Sequence, residues 1–195
     1  MARTFLLLSL LLLSFAPSAF AQQTPAWEFF GGYSFERSVV REYFKQTPII
    51  YAFKEQYANL NGWELSVTEN LNRSFGGTLQ ATGHYKSPVL QGTKTRQNLF
   101  SLMYGPRFSH RMSWATPYAH VLLGIARTSA TVSPGPHIAE VEFAAAVGAG
   151  FDLSIGRKAA VRVVQVQYSP MSPVVSKETK VQASVGVVFY LGSTK

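Results

Sequence analysis

Five charged residues stand where buried chemistry could be assembled: Glu28, Glu64, Arg107, Asp152 and Arg162. Most are set in runs that alternate with apolar residues. Arg107 is out of phase with Phe100, Leu102, Tyr104 and Phe108, and Asp152 stands between Phe151 and Leu153. Side chains alternate across a strand, so these charges share faces with Gln80, His84, His120 and Gln182, opposite the apolar stripes. Buried charges must pair, and Glu28, Glu64 and Asp152 can neutralise Arg107 and Arg162. Such a set suits an internal salt-bridge plug. The same residues could also line a gated narrow pore or a ligand cavity.

Catalysis has weaker support. The chain has four histidines: His84, His110, His120 and His137. His84 with Ser87 is the one pair that invites attention. There is no nucleophile motif and no acid–histidine arrangement of distinctive spacing. The chain lacks cysteine, which excludes a thiol nucleophile, a cysteine metal site and a disulfide framework. No metal-ligand spacing, phosphate loop or nucleic-acid motif is present. No catalytic residue, cofactor or metal is expected.

The elements that would position these residues are strands. The stretch from Gln97 to Thr128 reads as two strands around a short turn. In the second, Ala119, Val121, Leu123 and Ile125 face one way, with Tyr118, His120, Gly124 and Ala126 opposite. Each strand runs for roughly ten residues, enough to cross an outer membrane at a tilt. Phe108, Trp114 and Tyr118 gather near the turn, as rings do at a membrane interface. One such hairpin is equally at home in a soluble sandwich, so the rest of the chain decides.

Further strands are expected over Trp27–Phe35, Trp63–Thr68, Phe75–Tyr85, Glu142–Leu153, Ala159–Tyr168 and Val181–Leu191. The Ala-rich run from Glu142 has a helix as its rival reading, but two glycines and a period of two favour a strand. Ala159–Tyr168 has no single clean parity, and a β-bulge near Val163–Val164 would restore one. The connections alternate in length. Glu36–Leu60, Lys86–Arg96, Ser129–Val141 and Ser169–Lys177 are long or medium; ENLNRS, the turn before Trp114 and SIGRK are short. Structureless connections as long as the first are uncommon, so either strands continue into it or it is an exposed functional loop.

Eight strands with short turns at one rim and longer loops at the other match an antiparallel up-and-down transmembrane β-barrel. A soluble eight-stranded barrel of lipocalin type is the competing architecture. That fold shows water a charged exterior, whereas only 14% of these residues are charged. Strand charges also fall mainly on the polar face. An inside-out, all-β barrel fits better.

Residues 1–21 carry Arg3, an apolar core from Phe5 to Ala16, Pro17, and the small-x-small run Ala19-Phe20-Ala21. This is the pattern of a secretory signal peptide cleaved before Gln22, leaving residues 22–195 as one barrel domain. The formal charge of +8 includes Arg3, and the signal has no acid, so the mature chain carries +7. Export argues against nucleic acid as the anionic partner and points to phosphate-bearing lipid head groups.

The segments EFFGGYSF, NLNGWELSVTENLNRSFG, GPRFSHR, PYAHVLLGIAR, AVRVVQVQYSP and VQASVGVVFYLG, in this order and spacing, resemble small outer-membrane β-barrel proteins related to the OmpA transmembrane domain and OmpX. The resemblance covers nearly the whole mature chain. It implies an integral protein of the outer membrane, structural or adhesive, with surface-exposed loops and no enzymatic activity. A small pore or ligand-binding barrel is the alternative it leaves open, and a lipid-modifying enzyme is less favoured. The partners it implies are outer-membrane lipids and lipopolysaccharide and the insertion machinery, with the barrel itself a monomer. Many such proteins end on an aromatic residue, whereas here Phe189 and Tyr190 are followed by LGSTK.

Overall fold

The computed structural model describes residues 24–45, 51–86, 89–90, 93–133, 137–171 and 177–194. The expected signal peptide, residues 1–21, and its cleavage site before Gln22 lie outside them. The strands are β1 (Trp27–Lys45), β2 (Tyr51–Asn70), β3 (Phe75–Lys86), β4 (Val89–Leu90), β5 (Thr93–Ser109), β6 (Ala115–Ser133), β7 (His137–Ser154), β8 (Ala159–Met171) and β9 (Lys177–Leu191). The two-residue β4 pairs only with the start of β5. The other eight are the staves of a barrel. Each is antiparallel to its neighbour, β3 pairs with β5, and β1 pairs with β9 to close the sheet.

Closure gives every stave a hydrogen-bonded neighbour on each side, the condition lipid imposes on a spanning structure. The side chains are distributed inside out. Leu65, Leu79, Leu102, Val121, Leu123, Val147 and Val185 are exposed on the outer face. Glu28, Glu64, Gln80, His84, Arg107, His120, Asp152, Arg162 and Gln182 are buried in the interior. Rings flank the apolar band. Toward the short turns, Phe75 meets Phe108 (5.1 Å between ring centroids) and Trp114 meets Phe151 (5.8 Å). Toward the opposite rim, Trp63 lies 6.4 Å from Phe100, and its Nε1 donates to Tyr85 OH (3.1 Å). Two aromatic girdles around an apolar belt are what a membrane asks of a barrel exterior.

The connections differ from expectation at one rim. Glu36–Leu60 is largely β-structure, because the β1–β2 ladder runs from Trp27↔Glu69 through Glu36↔Leu60 to Lys45↔Tyr51. The segments around Ser129–Val141, and parts of Lys86–Arg96 and Ser169–Lys177, are likewise absorbed into strands. β1, β2, β6 and β7 reach 18 to 20 residues, about twice the 9–11 that cross a bilayer. Ladder hydrogen bonds need no apolar face, so strands continue after the outward residues become polar. The change is visible where Phe29 and Tyr33 give way to Arg37, and Ile125 to Arg127.

The other rim has tight turns. Asn72 Oδ1 accepts the backbone N–H groups of Ser74 and Phe75 (2.9 Å each), fixing the β2–β3 turn. On β8 the registers toward both neighbours are irregular next to Arg162. Val163 and Val164 are both exposed, while Arg162 and Gln165 are both buried. A bulge therefore lies at Val163–Val164. It turns Gln165 and Gln167 to the interior, although unbroken alternation would place them with Val161 and Val163 on the outside.

Candidate lumen site

The interior toward the turn rim is filled by an ion-pair network. Arg107, on β5, reaches two acids: Nη1 lies 3.2 Å from Glu28 Oε2 on β1, and Nη2 lies 3.2 Å from Asp152 Oδ2 on β7. Its Nε donates to Ser109 Oγ (3.2 Å) and its Nη1 to Thr68 Oγ1 (3.3 Å). Arg162, on β8, is the cross-strand neighbour of Asp152. It grips that carboxylate with two nitrogens, Nε to Oδ1 at 2.8 Å and Nη2 to Oδ2 at 3.2 Å. Such a fork is the strong form of a carboxylate pair.

Sequence parity did not reveal Arg111. It lies in the β5–β6 turn, where alternation carries no information, yet it is buried. Its Nη2 donates to Glu28 Oε1 and to Asn70 Oδ1, the latter at 2.9 Å. Asn70 Nδ2 also donates to Glu28 Oε1 (2.9 Å). Glu28 thus faces two arginines.

Glu64 joins the network without touching an arginine. Gln165 Nε2 and Gln182 Nε2 donate to its two oxygens (2.8 Å each), and Ser184 Oγ adds a third bond of 2.5 Å. Gln165 is the bridge, because its Oε1 accepts from Arg162 Nη1 (2.8 Å) and Tyr118 OH (2.6 Å). The guanidiniums of Arg107 and Arg162 both lie over the Tyr118 ring, 3.7 and 4.6 Å from its centroid. Gly150 stands opposite Tyr118, and a Cβ there would collide with the phenol. The structure therefore places Glu28, Glu64, Arg107, Asp152 and Arg162 in one connected cluster, completed by Arg111, Tyr118 and Gln165. Three acids and three guanidiniums balance in formal charge, with Glu64 held by two amides and a hydroxyl rather than by an arginine. Buried charges of this kind are tolerable only when so paired and hydrogen-bonded.

Ser87 lies outside the described residues. His84 instead has Ser34 Oγ 2.9 Å from its Nε2 and Glu36 Oε2 3.6 Å from its Nδ1. Serine, histidine and acid in that order have the outline of a hydrolytic triad. Ser34 and His84 are both 0% exposed, so Ser34 Oγ is shut away from any incoming carbonyl. The arrangement works as a hydrogen-bond chain, since Ser34 continues to Ser184 (3.2 Å) and so to Glu64. Among the described residues no group of three acids, cysteines or histidines is placed to hold a metal ion.

No protein-family model and no curated protein sequence matches the chain. Solved structures do match. Neisserial surface protein A superposes with a TM-score of 0.62 at 13% identity, over 84% of this chain and 97% of that one. The outer membrane protein OprG of Pseudomonas aeruginosa gives 0.60 at 13% identity, covering 88% and 98%. Ail, the attachment invasion locus protein of Yersinia pestis, gives 0.55 at 15% identity, covering 84% and 99%, in its complex with the heparin analogue sucrose octasulfate. Identities this low speak for the fold alone. With the closed sheet, the apolar belt and the polar interior, they make this the fold of the small, eight-stranded, integral outer-membrane β-barrels.

Proposed function

We propose that the protein is a sealed outer-membrane barrel whose role is structural or adhesive and whose long hairpins meet the environment. The observation that carries this reading is the neutral plug. Arg107, Arg162 and Arg111 with Glu28, Glu64 and Asp152 occupy the lumen toward the turn rim, which argues against free passage of solutes. Work is then left to the rim where strands outrun the membrane. Ail, a barrel of the same fold, is by name an attachment protein, which supports an adhesive reading of those hairpins. Lipopolysaccharide and other outer-membrane lipids would surround the belt, with Arg127 exposed on the outer face beyond the rings to meet lipid phosphates. The chain would act as a monomer without a cofactor, and the closure of Ser34 supports a non-enzymatic role.

The chain has no cysteine, which makes its topology testable by single-cysteine labelling. Arg37→Cys, on the hairpin side, should react with a membrane-impermeant maleimide in intact cells. Asn72→Cys, in a short turn, should react only after the outer membrane is permeabilised. Recovery of the protein in the soluble periplasm, or the reverse labelling pattern, overturns the assignment.

A further inference from the structure

Above the plug the lumen is two-sided. Leu99, Met103, Leu122, Ala126, Ala144 and Ala146 form a buried apolar cluster on the inner wall of β5, β6 and β7. Barrel interiors of this class are mainly polar, and this apolar wall is separate from the smaller cluster of Phe30, Ala160, Val188 and Tyr190. Across from the wall stand Gln167, Lys180 and Glu36. Between the two walls is a narrow cleft of about 20 Å³, room for about one water.

One donor in this cleft has no acceptor. Gln167 is 1% exposed, and its Oε1 is engaged by Gln80 Nε2 (3.0 Å) and His120 Nε2 (3.1 Å). Its Nε2 is buried without a hydrogen-bond partner. A buried donor left so is costly, and a ligand oxygen would satisfy it. Charge narrows the ligand further. The cleft carries one acid, Glu36, and one base, Lys180, so a ligand with net charge would find no surplus counter-charge.

We propose that this cleft is a binding site for a small uncharged amphiphile. A carbonyl head would accept from Gln167 Nε2, and a short alkyl chain would lie on Leu99, Met103, Ala126 and Ala144. A cleft of about 20 Å³ is too small for that chain as it stands, so the chain enters by displacing Met103. That side chain is unbranched and adaptable. The site lies above the plug and is independent of the adhesive reading: a barrel that adheres to nothing would still bind, and an adhesive barrel could fail to.

Methionine methyl NMR reads this directly. The chain after residue 21 has Met103 in the cleft, Met112 at the turn rim and Met171, so Met112 is an internal control. Hexanamide added to refolded protein in phosphatidylcholine nanodiscs should shift the Met103 methyl saturably and leave Met112 in place. Hexanoate and hexylammonium should bind more weakly. Ala144→Leu, which fills the cleft, should abolish the shift, and Gln167→Leu should weaken binding about tenfold. Ala126→Val replaces Ala144→Leu if the latter does not regain heat-modifiable gel migration. Parallel shifts of Met103 and Met112, no saturable shift, tighter binding of either charged probe, or indifference to the filling substitution overturns the proposal.

Discussion

Arg107 holds the plug together, because it pairs with both Glu28 on β1 and Asp152 on β7. Removing one member of a buried pair strands the other, at a cost of about 3–5 kcal/mol. Here Glu28 keeps Arg111 and Asp152 keeps Arg162, so Arg107→Ala should lower the unfolding free energy of the refolded barrel in urea by less than that, about 1–3 kcal/mol. Adding Glu28→Gln should recover part of the loss. The cluster regains neutrality, and the amide oxygen can still accept from Asn70 and Arg111. A double variant that loses the sum of two single losses would mean the charges are not coupled. At this scale parity was informative: Arg107 and Asp152 could be oriented from their apolar neighbours alone. Arg111 could not, because a turn has no faces. The bridging role of Gln165 was hidden as well, because it depends on a bulge whose place, but not whose consequences, could be read.

The strands show the same division. Where lipid lies on one side and a polar lumen on the other, the period-two pattern is enforced and legible, as in Phe100–Phe108 and Phe143–Leu153. Beyond the membrane both faces meet water and the pattern fades, so Glu36–Leu60 read as a connection although it is mostly ladder. The bulge gives a test at this scale. In a regular strand only one of two successive residues faces lipid. Here Val163 and Val164 both do, so Val163→Arg and Val164→Arg should each destabilise the barrel. The cost is roughly 2–4 kcal/mol near the bilayer midplane, less toward a rim. If one variant is destabilised and its neighbour tolerated, as alternation requires, β8 has no bulge there.

For the whole molecule, low overall charge, eight alternating segments and a rhythm of short and long connections carried the fold into view before any coordinate. What the hairpins recognise was not legible, since outside lipid no physical rule ties their sequence to one partner. If residues 1–21 are an export signal, the intact mass of protein purified from outer membranes should correspond to a chain beginning at Gln22; a mass retaining Arg3 and the apolar core would mean an uncleaved anchor. The central claim is that the plug seals the lumen, and single-channel recording of the refolded barrel in a planar bilayer tests it most directly. The paired network predicts a quiet baseline without discrete current steps in the wild-type protein. Reproducible unitary steps from the wild-type protein would contradict the plug and make the barrel a pore.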